Sequence, residues 1–146
     1  MQLDHICLAV RSIINVRARL CALLGYSPRT DIVKNTVQDV NVQFLAKSGS
    51  LDIKLIEPAS ENSNLLQFLR TKGEGLHHLG FMCDDVGITL GTLTTQGARV
   101  TVPPAPGEAF DAETIAFLYV AGGLNIELID TLKRRALIDP THDSTA

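Results

Sequence analysis

The chain has no excess of positive charge, no CxxC cysteine pair and no long apolar run, and each absence removes a class of function. Thirteen Lys and Arg against sixteen Asp and Glu give a formal net charge of -3. With no basic stripe, nothing in that balance asks for nucleic acid or an anionic membrane surface. Cys7, Cys21 and Cys83 form an odd set without redox or zinc spacing. The opening residues MQLDHICLAV lack the basic start and small-residue cleavage site of a signal peptide. Together these features predict a reduced, cytoplasmic protein. No apolar stretch approaches the roughly 18 residues of a membrane span, and no Gly-rich phosphate loop is present. Aromatics are 5% of the chain, but 45% hydrophobic residues over 146 positions leave room for one compact domain with a real core.

Apolar periodicity divides the chain into short elements. Residues 2 to 10 alternate as a strand, with His5, Cys7 and Ala9 on one face and Ile6, Leu8 and Val10 on the other. Ser12 caps a helix through Leu24 that carries Ile13, Val16, Leu20 and Leu23, and Gly25 suits its left-handed stop. A polar, irregular stretch from Ser27 to Asp39 precedes a hairpin of Val40 to Ala46 and Leu51 to Glu57. Pro58 ends that half, and a connector helix follows from Asn64 to Lys72, stopped at Gly73. The order then restarts. HLGFMC at 78 to 83 reads as a strand, Asp85 caps a helix containing Val86, Leu90 and Leu93, and Gly97 stops it. Arg99 to Val102 supplies a short strand, and a loop with Pro103, Pro104 and Pro106 leads to a hairpin of Thr114 to Val120 and Leu124 to Asp130 about Gly122-Gly123.

Sliding the chain along itself by 73 residues sets His5 on His78 and Lys54 on Glu127. The segment LDIKLIEP (51 to 58) then lies on LNIELIDT (124 to 131), and Phe44-Leu45 lies on Phe117-Leu118. This is a tandem repeat of strand-helix-strand-strand-strand units, too few for a solenoid. The predicted fold class is α+β, with two βαβββ modules forming a cup-shaped mixed sheet. Module one covers about 1–58, the connector about 59–75, module two about 76–137 and a polar tail 138–146.

The repeat relates His5, His78, Lys54 and Glu127 in pairs, all in otherwise apolar strands. A polar group buried among Ile and Leu costs several kcal/mol unless it finds a partner, so the four are expected to face a shared cavity. Two imidazoles and one carboxylate are three good ligands for a divalent first-row metal. Cys7, two residues from His5, is either a pocket residue or an ordinary buried thiol. Gln43 and Tyr119 are candidates for substrate contact, with Asp39 a further pocket residue. His77 points away from the site, and His142 belongs to the tail.

LDHICLAV, GEGLHHLGFMCDDV and GLNIELID resemble the vicinal oxygen chelate superfamily of glyoxalases, extradiol dioxygenases and antibiotic-resistance proteins, over nearly the whole chain. FLRTKGEGLHHLGFMCDDV is most similar to methylmalonyl-CoA epimerases. The resemblance implies paired βαβββ modules around a divalent ion (Co, Mn, Zn, Ni or Fe) held by His5, His78 and Glu127, a small carbonyl or acyl-CoA substrate, an enolate-like intermediate and a homodimer. Isomerase or lyase chemistry would follow, with Glu127 and Lys54 as catalytic groups. Lys54 departs from the family: it stands where the epimerases carry a Gln or Glu ligand. Val37 stands where they carry an acid, and Tyr119-Val120 where they carry His-Pro. A protonated amine ~4 Å from a divalent ion is repelled by roughly 8 kcal/mol at an effective dielectric of ~20. Two arrangements therefore stay open. Either a metal is bound and Lys54 is neutral or swung away, or Lys54 pairs with Glu127 in a metal-free small-molecule binding protein of the resistance type.

Overall fold

Strand β1 (Gln2–Ala9) leads into helix α1 (Ile13–Leu24) through Ser12, whose hydroxyl accepts from the Asn15 amide. Gly25 ends the helix in the left-handed region, at φ 72°. Strand β6 (Gly75–Met82) leads into α3 (Val86–Thr95) in the same way, capped by Asp85 on the Ile88 amide. A second carboxylate secures each helix start. Glu57 accepts from the Ile13 amide and Asp130 from the Val86 amide, and both partners of the two pairs are 73 residues apart. The repeat therefore reaches beyond apolar pattern to individual hydrogen bonds. Ile13, Val16 and Leu20 of α1 pack on the sheet, whereas Leu23 is exposed and Tyr26 completes that end of the cluster.

The computed structural model describes residues 1–138, which form a mixed α+β structure. Nine strands make one open, curved sheet in the order β2 (Ser27–Pro28), β4 (Val40–Ala46), β5 (Asp52–Pro58), β1, β6, β9 (Leu124–Ile129), β8 (Glu113–Ala121) and β7 (Arg99–Gly107), with β3 (Val33–Asn35) also on β4. Strands β4 (Val40–Ala46) and β5 (Asp52–Pro58) form the first hairpin. Strands β8 (Glu113–Ala121) and β9 (Leu124–Ile129) form the second, about Gly122 and Gly123 at φ 59° and 76°. The stretch expected to be irregular holds two short strands, β2 (Ser27–Pro28) and β3 (Val33–Asn35), both on β4. The predicted Pro loop is instead a continuation of β7 (Arg99–Gly107). This strand lies at the sheet edge and pairs with β8 through two register shifts, the setting in which a strand tolerates prolines.

Helices α1 and α3 cover one face, over clusters built on Leu45 and Leu55 and on Leu118 and Leu128. The other, inner face carries α2 (Leu65–Lys72) and a single 3₁₀ turn (Glu108–Phe110), packed on Val42, Phe44, Ile56 and Phe117. Beyond β9 the chain returns to the first half: Leu137 bridges Thr30, and the Ile138 amide donates to the Arg29 carbonyl. The rest of the expected tail, from Asp139 and including His142, lies outside the described residues. Among the described residues no helix is long and apolar enough to cross a membrane.

Candidate functional site

At the centre of the sheet four adjacent strands, β5, β1, β6 and β9, place one polar side chain each on the inner face. The register sets Lys54 beside Cys7, which faces His78, and sets His5 beside Gly80, which faces Glu127. These two rows interchange under the 73-residue repeat. Gly80 is required here: a Cβ on it would lie 2.0 Å from His5 Cε1, so its absence lets the His5 ring lean across β6 toward Glu127.

Glu127 is fully buried and receives every neighbour. Lys54 Nζ donates to Oε1 at 3.0 Å and Oε2 at 2.8 Å. His5 Nε2 lies 2.9 Å and His78 Nε2 3.2 Å from the same Oε2. Burial alone would push the Glu127 carboxyl up, but the Lys54 ammonium, His78 and His5 together hold it well below the ordinary value. Burial pulls His78 down to about 3 against the attraction of Glu127. A neutral His78 beside a carboxylate donates from Nε2, so its Nδ1 accepts from His77 Nδ1, 2.8 Å away.

Two β-bulges complete the site. The register of β1 on β6 steps from Leu3/Phe81 to His5/Gly80 and from Cys7/His78 to Leu8/Leu76, which leaves Asp4 and His77 as extra residues, again 73 apart. The second bulge overturns the expectation that His77 points away, because it turns the ring onto His78 and into the cavity. The first turns Asp4 onto His5 Nδ1, at 2.7 Å. Burial raises the Asp4 carboxyl, but the His5 hydrogen bond and Arg134 outweigh it and leave it lowered.

The cavity in front of Lys54, His77 and His78 measures about 570 Å³, with Val102, Phe68 and Phe117 among its apolar walls and Asn62, Asn64 and Asn125 among its polar ones. That is ample for a small ligand. A hollow of about 640 Å³ near Met1 and Asp85 is larger, but among the described residues no lysine, arginine or histidine side chain lines it. His5 and Glu127 stand behind the cavity wall, and Lys54 and His78 form it.

Of the residues expected to contact substrate, none lines this cavity. Gln43 alternates with Phe44 and so faces α1, where it bonds Arg17 and the Thr30 carbonyl. Cys7 is wholly enclosed beneath the rings, and burial pushes its thiol far up. Tyr119 lies toward the strand end, where its hydroxyl accepts from the Gly123 amide and Arg99 covers its ring. Asp39, left-handed at φ 53°, does reach the rim and accepts from Ser60. Asp4 and Arg134 were missed by sequence reasoning. The repeat offered a signal for Asp4, through its match to His77, and none for Arg134.

A family model described as the glyoxalase/bleomycin resistance protein/dioxygenase superfamily matches residues 4–119. The chain belongs to this superfamily. It is 34% identical over 119 residues to the uncharacterized protein YqjC of Bacillus subtilis, covering 80% of this chain and 81% of that one. A hypothetical protein of Bacillus halodurans matches with a TM-score of 0.81 at 28% identity, over 91% of this chain and 96% of its own. The methylmalonyl-CoA epimerase of Mycobacterium tuberculosis matches at 0.78 and 29%, over 88% and 86%. A methylmalonyl-CoA epimerase in complex with methylmalonyl-CoA and NH4+ matches at 0.77 and 27%, over 90% and 94%.

Members of the superfamily typically use a divalent metal, and here one ligand atom each from His5, His78 and Glu127 lies within 4.8 Å of the others. The donor set as arranged nevertheless does not fit such an ion. Lys54 already places its ammonium on both oxygens of Glu127. Both ring nitrogens of His5 are engaged by carboxylates as well, Nδ1 by Asp4 at 2.7 Å and Nε2 by Glu127 at 2.9 Å.

Proposed function

We propose that this chain is an isomerase-type enzyme of the glyoxalase superfamily that moves a proton next to the carbonyl of a small carbonyl or acyl-thioester substrate, with Lys54 supplying the positive charge at the site. The observation that carries this reading is the Lys54 ammonium, fixed by both oxygens of Glu127 on the cavity wall beside His78. The similarity to methylmalonyl-CoA epimerases supports the substrate class. One of those enzymes is complexed with both methylmalonyl-CoA and NH4+. In this chain the ammonium is tethered.

Removing a proton from the carbon beside a thioester shifts negative charge onto the carbonyl oxygen. An ammonium ~3 Å from that oxygen attracts it by about 5 kcal/mol at an effective dielectric of ~20. Every ~1.4 kcal/mol of this that is realised only in the transition state is tenfold in rate. Glu127 acts from behind by holding Lys54 in place through both its oxygens. His77, neutral because burial pulls it down to about 4, lines the cavity and is positioned to take the proton. The apolar walls exclude water from the charged oxygen.

The test is exchange of the α-proton of methylmalonyl-CoA in D2O, followed by NMR in excess chelator. Exchange that persists with chelator and falls at least a hundredfold in Lys54→Met supports the proposal. Exchange that depends on added metal contradicts the role of Lys54. Saturable binding of the thioester without exchange contradicts the enzyme reading and makes the chain a binding protein.

A further inference from the structure

Behind the site, a residue from beyond the last strand completes it. Arg134 lies in the segment that follows β9, and backbone hydrogen bonds from Arg135 to Ala109, from Asp31 to Ala136 and from Ile138 to Arg29 pin that segment to the 3₁₀ turn and to the first half of the chain. Its side chain is almost fully buried. The guanidinium carbon stands 4.6 Å from the ring centre of Phe44 and 4.7 Å from that of Phe110. Nη2 donates to Asp4 Oδ2 at 2.6 Å, and the same oxygen accepts from His5 Nδ1 at 2.7 Å. His5 Nε2 continues to Glu127, and Glu127 to Lys54, so five ionisable side chains form one unbroken line from the segment after β9 to the cavity.

The arrangement holds its pose at a cost. Among the described residues Arg134 Nε is buried without a hydrogen-bond partner, and an unpaired buried donor costs stability. Phe44 and Phe110 also pack against the His5 ring, at 5.6 Å and 6.0 Å between centres. The same two rings therefore orient both ends of the Arg134–Asp4–His5 connection.

We propose that Arg134 is a positioning residue of the site. It fixes Asp4, Asp4 fixes the ring orientation of His5, and His5 keeps Glu127 turned so that both its oxygens hold Lys54. Its effect on catalysis rests on the proton-transfer reading above, while its effect on His5 does not. Two readouts separate them. Long-range proton–nitrogen NMR of the imidazoles is expected to show the His5 Nδ1 resonance displaced in Arg134→Met and Asp4→Asn, with the His78 resonances unmoved. In the α-proton exchange assay, Arg134→Met is expected to lower kcat at least tenfold and leave KM within about twofold, the pattern of a group that shapes the reacting geometry and not ligand binding. Arg134→Lys keeps a cation for Asp4 but not the stacked plane, and is expected to restore the His5 resonance and bring kcat to within about fivefold of wild type. A folded Arg134→Met protein with an unchanged His5 spectrum overturns the proposal, as does one whose melting temperature falls while kcat is unchanged below the transition. If the wild type shows no exchange, the functional reading fails, and the His5 spectrum still decides the role of Arg134.

Discussion

Lys54→Met removes one charge from a buried pair and isolates the other. Glu127 is fully enclosed, and deleting one partner of such a pair costs about 3–5 kcal/mol because the remaining charge is unpaired. That penalty depends on pH in a direction that follows from the shifts. In the wild type the Glu127 carboxyl is depressed well below 4.5. Its contribution to stability is therefore present above the unfolded value and lost as pH falls through the folded one. In the variant, burial loses its strongest opponent and the folded value rises. A carboxyl raised in the fold stabilises below the unfolded value, and that contribution is lost as pH rises through the folded one. The two stability curves should therefore lie ~3–5 kcal/mol apart at pH 8 and converge toward pH 5, their slopes differing by up to ~1.4 kcal/mol per pH unit in the window above 4.5. Urea unfolding at pH 8, 7, 6 and 5 measures this directly. Lys54→Met combined with Glu127→Leu should regain most of the loss, since an apolar replacement leaves no stranded charge. Parallel curves, or a difference under about 1 kcal/mol at pH 8, would refute the claim that a buried ion pair holds the site.

Two other substitutions test the geometry. Gly80→Ala drives a Cβ into the His5 ring, 2.0 Å from Cε1, and should lower unfolding stability by ~1–3 kcal/mol through overpacking and shift the His5 imidazole signals. Gln43→Leu breaks the bonds to Arg17 and the Thr30 carbonyl on the helix side of the sheet. It should cost ~1–2 kcal/mol in a denaturant titration and leave thioester binding, followed by calorimetry, unchanged.

Much of the fold is written in local chemistry. Ser12, Asp85, Gly25 and the Gly122-Gly123 pair mark their caps and turn through backbone requirements that hold in any context. The repeat carried Lys54 and Glu127, far apart in sequence, into contact because identical apolar strands must bury identical faces. What escaped depends on register. Period-two alternation assigns His77 to the outer face, and only a bulge, which has no signature in this sequence, reverses it. Gln43 was placed by its polarity in a buried strand, yet the neighbouring Phe44 is the residue on the inner face. Pro103 and Pro104 read as a loop because sequence does not tell an edge strand from a central one. Arg134 follows β9 in the chain and reaches Asp4 in β1 only because the chain recrosses the sheet.

The most direct test of the account is cobalt(II) titration of the wild type and of Lys54→Gln, followed by visible absorption. With Lys54 holding Glu127, the wild type should bind no stoichiometric ion at micromolar cobalt. Lys54→Gln frees the carboxylate and should take up one equivalent through His5, His78 and Glu127. Stoichiometric binding by the wild type would contradict the assignment of Lys54 as the cation of the site.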